Sequence, residues 1–371
     1  MWRLTANPSP LSENNLSLAE LNLYFPSGLN MKIKPRHIAL AVLVAFIAVC
    51  RFLAPAADFY AVTCYPVISG ILSLLSSFTA FSLEEIAVAA MAAVMIWIII
   101  SAFRHKCKWG RAAVRMAELL LWVAVWFYMG WGTNYFRSSI YARSGTVASE
   151  FDADVFNTFL ADYTQSLNGA YESDAATDTL LLEQEIKQFY STVPKQFGLS
   201  RPRKWQHAKK PLLNRLYSGC GVTGFMGPFL GESMLNTDLL PTGYAFTYAH
   251  EYAHLMGVSN EAEANYWAYR FCIASDLQSV RYSGYFQILP YVAANARSVL
   301  SPEQYDGWIA QIDPRIMDDY NLNRQHWSGL RWKLLDDIQS WLLDMMLKGN
   351  SIPTGIQNYS EVVALILAVG V

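Results

Sequence analysis

The chain has 371 residues, of which 53% are apolar and 14% aromatic, and its mean hydropathy is +0.17. This composition is richer in apolar residues than that of an ordinary soluble protein, and it predicts membrane segments together with one globular domain. The formal net charge of −2 excludes the large basic excess that is typical of nucleic-acid-binding proteins, so we expect no nucleic-acid partner.

The N-terminal third predicts a polar tail and then a membrane domain. Residues 1–35 form the tail, and residues 36–136 contain three apolar runs, at about 37–57, 86–103 and 117–133, that are long enough to cross a bilayer. Residues 59–83 carry no charge, but they include a proline, a glycine and several serines. We interpret this segment as a helix lying along the membrane interface, with a fourth span as the alternative.

Basic residues in the short loops predict the orientation of these spans. Three precede the first span and five lie between the second and third: Lys32, Lys34 and Arg36, and Arg104, Lys106, Lys108, Arg111 and Arg115. Because basic loops stay in the cytoplasm, we expect a multi-pass protein of the cell membrane with a cytoplasmic N-terminus. Three spans then put residues 137–371 on the extracytoplasmic side, whereas a fourth would reverse that side.

Residues 137–371 predict a mainly α domain with a small β-sheet, which makes the class α+β. Helical periodicity is visible at 155–167, 177–190, 266–275, 301–312 and 330–347.

The exception is the glycine-rich stretch 221–236, which is too broken for a helix. We predict that it forms the exposed edge of the sheet, to which a peptide substrate adds as a further strand. The candidate substrate-binding residues are Gly227, Phe229, Glu232 and Asn236. The alternative is a packed loop whose glycines only permit tight turns.

The segment 248–257 contains the pattern His-Glu-x-x-His. In a helix, His250 and His254 lie one turn apart on one face and can share a Zn²⁺ ion, with Glu251 beside them as general base. A zinc site of this kind activates a water molecule for attack on a carbonyl group. The alternative is a buried helix whose histidines bond to the backbone.

The residues after the motif predict a sharp turn. Gly257 can adopt a positive φ and end the helix, and Ser259 or Asn260 can cap the next one. A third metal ligand is therefore expected soon after the turn.

Two carboxylates compete for that role. Glu261 and Asn265 share one helical face, whereas Glu263 lies about 200° around the helix from Glu261. This spacing favours Glu261 as the ligand and Asn265 as a residue that orients a ligand. Glu263 remains the alternative.

Tyrosines follow the second helix of the site. A hydroxyl of Tyr282 or Tyr285 could stabilise the oxyanion that forms during hydrolysis, although tyrosine is common in this chain and packing is the alternative role.

Several motifs resemble those of one bacterial family, which is catalogued as domain of unknown function 3810. They are Gly-Pro-Phe-Leu-Gly-Glu-Ser-Met-Leu-Asn at 227–236, His-Glu-Tyr-Ala-His at 250–254, Glu-Ala-Glu-Ala-Asn at 261–265, Trp-Gly-Thr-Asn-Tyr-Phe-Arg at 131–137, and the ending around 355–367. The resemblance covers about residues 35–371. It implies a membrane-anchored zinc metallopeptidase with a zincin-like domain, and a more distant similarity to gluzincin peptidases implies that Glu261 is the third ligand.

We therefore expect a zinc metallopeptidase with a peptide or protein substrate and the lipid bilayer as partners. Two alternatives stay open: a non-catalytic zinc-binding sensor or assembly protein of the membrane, and a hydrolase that acts on an amide in cell-wall material.

Overall fold

The structure, a computed structural model, describes residues 34–147, 152–173 and 176–370. Almost all of the predicted polar tail, residues 1–33, lies outside the described residues. The described chain is mostly helical with one small sheet, which confirms the predicted mainly α class with a small β component.

The N-terminal region consists of helices separated by short turns. They are α1 (Pro35–Phe52), α2 (Ala54–Phe59), a π-helical turn (Tyr60–Cys64), α3 (Tyr65–Ser76), α4 (Leu83–Phe103) and α5 (Trp109–Gly130). The segments α2, π turn and α3 follow one another without a break, so Ala54–Ser76 forms one helical stretch.

Four helices are long and apolar enough to cross a membrane, where the sequence predicted three. The additional one is Ala54–Ser76, which contains most of the predicted interfacial segment 59–83. Pro66 does not break this helix because it lies in the first turn of α3, directly after the π turn, where its missing N–H group is tolerated. The serines are also accommodated, since Ser73 and Ser76 donate hydrogen bonds to carbonyl groups one turn earlier.

The remaining chain forms eleven further α-helices among the described residues. They are α6 (Ile140–Ser144), α7 (Ala153–Ala170), α8 (Thr179–Thr192), α9 (Asn214–Gly219), α10 (Pro241–Leu255), α11 (Glu261–Ala274), α12 (Gln278–Val299), α13 (Pro302–Ile309), α14 (Pro314–Leu330), α15 (Lys333–Gly349) and α16 (Val362–Val369), with 3₁₀ turns at Gly132–Phe136, Lys195–Phe197 and Gly355–Glu361.

The sheet has three short strands in the order β1-β3-β2. They are β1 (Ala208–Lys209), β2 (Gly224–Gly227) and β3 (Glu232–Leu235). The stretch predicted as a sheet edge forms the hairpin of β2 and β3, which pair antiparallel, while β1 pairs parallel with β3. A parallel bridge between Phe81 and Lys210 extends the sheet beyond β1, so β2 is left at the opposite edge.

Helices α10, α11 and α12 pack against one another at the centre of the core, with α7, α8 and α16 around them. Every residue of α10 from Ala245 to Leu255 is buried. Two tyrosine hydroxyls in this core are paired: the Tyr190 hydroxyl donates to the Ala249 carbonyl at 2.8 Å, and the Tyr248 hydroxyl donates to Glu183 at 3.0 Å. Because an unpaired buried polar group costs about 1–3 kcal/mol, these bonds hold α10 in one register.

Candidate metal centre

A sharp turn after α10 brings the chain back onto the histidine motif. Gly257 has φ +95°, and an added Cβ would lie 2.9 Å from the ring of Tyr65, so only glycine fits there. The Asn260 side chain then caps α11 by accepting a hydrogen bond from the Glu263 N–H at 2.9 Å. The chain therefore reverses as Gly257 and Asn260 predicted, and α11 begins at Glu261.

The turn places three donor groups around one point. The Nε2 atoms of His250 and His254 lie 3.0 Å apart, and each lies 3.3 Å from Oε2 of Glu261. All three residues are buried, and their donor atoms lie close enough together to bind one metal ion.

These separations fit a tetrahedral zinc site. With bonds of 2.0–2.1 Å, ligand atoms around Zn²⁺ lie about 3.3 Å apart, close to the distances between these donors. Oε2 of Glu261 is buried and makes no hydrogen bond that meets normal geometry with any described residue, which is unusual for a carboxylate in a protein interior. The donor set therefore fits Zn²⁺.

Backbone contacts prepare His254 for this role. Its Nδ1 atom lies 2.8 Å from the Val258 carbonyl, which can only accept, so Nδ1 carries the proton in the neutral ring and Nε2 is then the nitrogen with the lone pair. Burial opposes protonation of His254, but the Glu261 carboxylate outweighs it and raises the pKa of His254 to about 9. Burial also works against the ionised form of Glu261, yet His254 and His250 hold the pKa of that carboxyl well below its usual range. The Glu261 carboxylate therefore makes a positive charge favourable at the point where the three donor atoms meet.

Glu251 lies beside the donor group and faces the sheet. Its carboxylate makes no hydrogen bond with the described residues, and burial raises the pKa of its carboxyl although both histidines oppose the shift. A Cβ added to Gly224, the first residue of edge strand β2, would lie 2.6 Å from Cγ of Glu251. The absence of a side chain at Gly224 thus lets the carboxylate approach the backbone of β2, the edge strand of the sheet.

A sequence model of one protein family, described as "Protein of unknown function (DUF3810)", matches residues 60–367, which is most of the chain. The chain belongs to the DUF3810 family. This confirms the family that the motifs suggested. The matched range includes the sheet, the three donor residues and Glu251. The chain matches no curated protein and no solved structure.

The two acidic residues of α11 have separate surroundings in this DUF3810 chain. Glu263 forms a buried ion pair with Arg143 and accepts a hydrogen bond from Trp267 Nε1 at 3.1 Å, so it lies apart from the donor group. Asn265 is buried and donates to the Tyr359 carbonyl at 3.5 Å. Asn265 therefore contacts the backbone of Tyr359, a residue whose ring lies beside His250.

The candidate substrate-binding residues are placed differently from the prediction. Glu232 is buried and accepts hydrogen bonds from the N-terminus of α4, while Asn236 bonds to Ser218 and the Val222 carbonyl. Phe229 lies in the hairpin turn. Glu232 and Asn236 are internal because β3 is the middle strand of the sheet and packs against α10, whereas Phe229 is half-buried.

Gly227 is the fourth candidate. It ends β2, and an added Cβ would lie 2.6 Å from the Glu84 carboxyl carbon, so the glycine makes room for α4. The free edge next to Glu251 begins at Gly224, which the sequence did not single out.

The predicted oxyanion tyrosines lie away from the donor group. The Tyr282 hydroxyl donates to Asp319 at 2.6 Å, and the Tyr285 ring packs against Tyr163 and Tyr269. Both residues belong to the first half of α12 and help to pack it.

Tyr359, which the sequence did not predict as a site residue, lies close to the donor group. The Tyr359 ring lies parallel to the His250 ring, with centroids 6.5 Å apart. Removal from solvent and the nearby Glu261 carboxylate raise the pKa of the Tyr359 hydroxyl well above its usual range. The only sequence signal for Tyr359 was its position in the ending around 355–367, which is more than 100 residues from the histidine motif.

Two aromatic residues of the N-terminal region hold the end of α10. Trp131 Nε1 donates to the His254 carbonyl at 2.9 Å, and the Tyr65 hydroxyl donates to the Leu255 carbonyl at 2.8 Å. These carbonyl groups belong to the last turn of α10 and have no partner within the helix. The only sequence signal for Trp131 was its position in the 131–137 motif.

Proposed function

We propose that this protein is a membrane-anchored, zinc-dependent metallopeptidase. The observation that supports this function is the convergence of His250, His254 and Glu261 next to a carboxylate, Glu251, that lies against Gly224 of the edge strand β2. The group combines two imidazoles with one carboxylate, a donor set that is used in catalytic zinc sites of hydrolases.

The chain's own residues divide the work of hydrolysis. Bound Zn²⁺ supplies Lewis acidity and lowers the pKa of a water molecule. Glu251 accepts the proton of that water and delivers it to the leaving amine, a role for which a buried carboxyl with a raised pKa is suited. The free edge of β2 can hold an extended peptide by backbone hydrogen bonds, so that the scissile carbonyl lies near Gly224.

The proposed location is the cell membrane, with a cytoplasmic N-terminus and an extracytoplasmic catalytic domain. It is supported by the apolar helices near the N-terminus and by the basic loop between α4 and α5. The proposed partners are the lipid bilayer and a peptide or protein substrate.

The two alternative functions lack a specific observation in their favour. A structural zinc site usually has four protein ligands, whereas the donor group found among the described residues has three. An amide in cell-wall material offers the same carbonyl and leaving amine as a peptide, but a free strand edge favours an extended peptide backbone.

Substitution of Glu251 tests the proposed function. We expect the purified, zinc-loaded Glu251→Gln protein to keep its zinc and to hydrolyse a fluorogenic peptide library about 10²- to 10⁴-fold more slowly than the wild type, since a positioned general base contributes that much. The control is Asp162→Asn, which removes an exposed carboxylate from α7. Equal hydrolysis by Glu251→Gln and the wild type would reject Glu251 as the base, and no hydrolysis by the zinc-loaded wild type would reject the peptidase.

A further inference from the structure

A cleft of about 380 Å³ lies between α10, α12 and α14. Gly243 and Thr247 line it, and they lie on the same face of α10 as Glu251, since positions 243, 247 and 251 are separated by four residues each. Thr223 also lines the cleft and directly precedes Gly224, the residue that contacts Glu251. The cleft therefore reaches to one helical turn before Glu251 and extends along α10 towards the start of that helix.

The lining of the cleft is rich in hydrogen-bond donors that the protein itself does not use. Thr247 is only 7% exposed, and its hydroxyl makes no hydrogen bond with the described residues. Because Thr247 lines the cleft and its hydroxyl is not used by the protein, this hydroxyl is available to a polar ligand. The Gln287 amide lines the same cleft and is also uncommitted within the described chain.

The cleft is positively charged. Arg324 and Arg331 line it, and no acidic side chain is found among its lining residues. Arg324 makes no ion pair with any residue that the structure describes. Arg331 has one acidic neighbour, Asp336, at 3.9 Å, which is too long for a hydrogen bond. Both guanidinium groups can therefore donate to a ligand.

The wall that carries these arginines is fixed to the rest of the domain. His326 Nε2 lies 2.8 Å from the Asp238 carbonyl, just before α10. The N–H of Trp332 donates to the Gly219 carbonyl at 2.8 Å, and Gly221 makes room for the Arg331 side chain. The two arginines thus extend from fixed backbone positions.

The direction of the edge strand indicates which part of a peptide reaches this cleft. Strand β2 runs from Gly224, at Glu251, to Gly227. A peptide that pairs antiparallel with β2, the commoner mode of pairing, runs from the Gly227 end towards Gly224. The residues that follow the scissile bond then leave the edge at Gly224 and enter the cleft beyond Thr223.

We propose that this cleft is a subsite for a carboxylate of the substrate on the leaving-group side of the scissile bond. The carboxylate is an acidic side chain or the free C-terminal carboxylate of the peptide, because both offer the planar pair of oxygens that arginine binds. This inference rests on the proposed peptidase function and adds the class of substrate.

Three peptide libraries of equal length separate the two sources of the carboxylate. One carries Glu at a fixed position and an amidated C-terminus, the second carries Gln and an amidated C-terminus, and the third carries Gln and a free C-terminus. Zinc-loaded full-length protein is incubated with each library, and mass spectrometry reads the cut sites. We expect the second library to be cleaved about tenfold more slowly than at least one of the others, as is typical of a lost charge-assisted hydrogen bond.

The arginine variants test the assignment to the cleft. Arg324→Gln and Arg331→Gln should lose the preference for carboxylates, and Arg324→Glu should reverse it in favour of basic residues. The control is Lys333→Gln, which removes the same charge from an exposed residue outside the cleft and should keep the preference. A preference on the N-terminal side of the cut, or its survival in both arginine variants, would overturn the proposal.

A binding measurement separates this subsite from the peptidase itself. Fluorescence anisotropy of the same libraries with zinc-loaded Glu251→Gln protein should show the same carboxylate preference without turnover. Selective binding that Arg324→Gln abolishes, together with no hydrolysis by the wild type, supports the subsite and rejects the peptidase. Hydrolysis of all three libraries at equal rates rejects the subsite and keeps the peptidase. Equal binding of the three, or no binding, also rejects the subsite.

Discussion

Two glutamates in the first turn of α11 show how a difference of two positions decides a role. Glu261 points to the histidines, and its Oε2 atom lies 3.3 Å from each of their Nε2 atoms. Glu263 points to the other side of the helix, where Arg143 and Trp267 hold it. Both carboxylates are buried, so burial alone would not distinguish a ligand from an ion-pair partner.

Substitutions of Glu261 and Glu263 should therefore have different effects. We expect Glu261→Gln to lose most of its bound zinc, because a neutral amide is a poorer ligand for Zn²⁺ than a carboxylate. We expect Glu263→Gln to keep zinc but to lower the free energy of unfolding by about 3 kcal/mol, since it leaves Arg143 buried without its partner. Metal analysis and thermal unfolding of both variants measure these effects. Zinc loss in Glu263→Gln with normal zinc in Glu261→Gln would exchange the two roles.

At the scale of elements, a reciprocal contact joins helix α4 to the β2–β3 hairpin. The Glu232 carboxylate of β3 accepts hydrogen bonds from the N–H groups of Leu83 and Glu84, at the start of α4. The Glu84 carboxylate accepts hydrogen bonds from the N–H groups of Phe229 and Leu230, in the hairpin turn, at 3.0 and 2.8 Å.

Glu232 is also paired with a buried lysine, Lys209 of β1, at 2.6 Å. Each carboxylate thus satisfies N–H groups that belong to the other element. The edge strand beside Glu251 is therefore held by a helix that is long and apolar enough to cross a membrane.

Loss of one carboxylate should loosen the hairpin without removing the metal site. We expect Glu84→Ala to increase amide hydrogen exchange in residues 224–235 by about tenfold, because two hydrogen bonds to a charged acceptor are lost. Zinc content should stay at the wild-type level. The control is again Asp162→Asn. Unchanged exchange in the hairpin would show that the contact with α4 does not restrain it.

At the scale of the whole molecule, the Ala54–Ser76 stretch differs from the other three apolar helices. In its apolar 18-residue segment 39% is buried within the protein, compared with 11–17% in the corresponding segments of the others. Near its start, Asp58 accepts hydrogen bonds from the N–H and hydroxyl of Ser138. At its end, the Ser76 hydroxyl donates to the Leu230 carbonyl at 3.3 Å. Between them, Trp205 donates to Ser73.

These contacts favour three crossing helices. One face of this helix contacts the globular domain, and the other exposes large apolar side chains such as Val62, Val67 and Ile71, as expected of a helix that lies at the membrane interface. The end of α1, the start of α4 and the end of α5 also contact this domain or the residues that lead into it, through Arg51, Glu84 and Trp131. A three-span arrangement, with Ala54–Ser76 against the domain, predicts that the loop between α4 and α5 lies on the other side of the membrane from the domain.

Cysteine labelling in intact cells tests this arrangement. We expect a membrane-impermeant maleimide to label exposed cysteines introduced by Ala80→Cys and Lys195→Cys, and to leave Lys106→Cys unlabelled until the cells are opened. With the basic N-terminal segment in the cytoplasm, three spans give this pattern. Four spans would give the opposite result, with only Lys106→Cys labelled in intact cells. The unsubstituted protein, with its five native cysteines, provides the background.

The sequence alone predicts the apolar helices, the mainly α class of the globular domain and the donor group. The apolar runs predict membrane helices, and the helical periods predict a mainly α domain. The spacing of His250, His254 and Glu261, with Gly257 between them, predicts the donor group, because helix geometry and one positive-φ glycine set its local shape. These signals are readable because they act over fewer than about 20 residues.

Only the tertiary structure decided the surroundings of the site. Gly224 faces Glu251, Tyr359 stacks beside His250, and Trp131 and Tyr65 hold the end of α10, although tens to more than 100 residues separate these partners in the chain. Glu232 and Asn236 were likewise predicted at the substrate edge, whereas the structure places them in the interior. Such contacts depend on how whole elements pack, and packing joins positions that no local pattern of residue types relates.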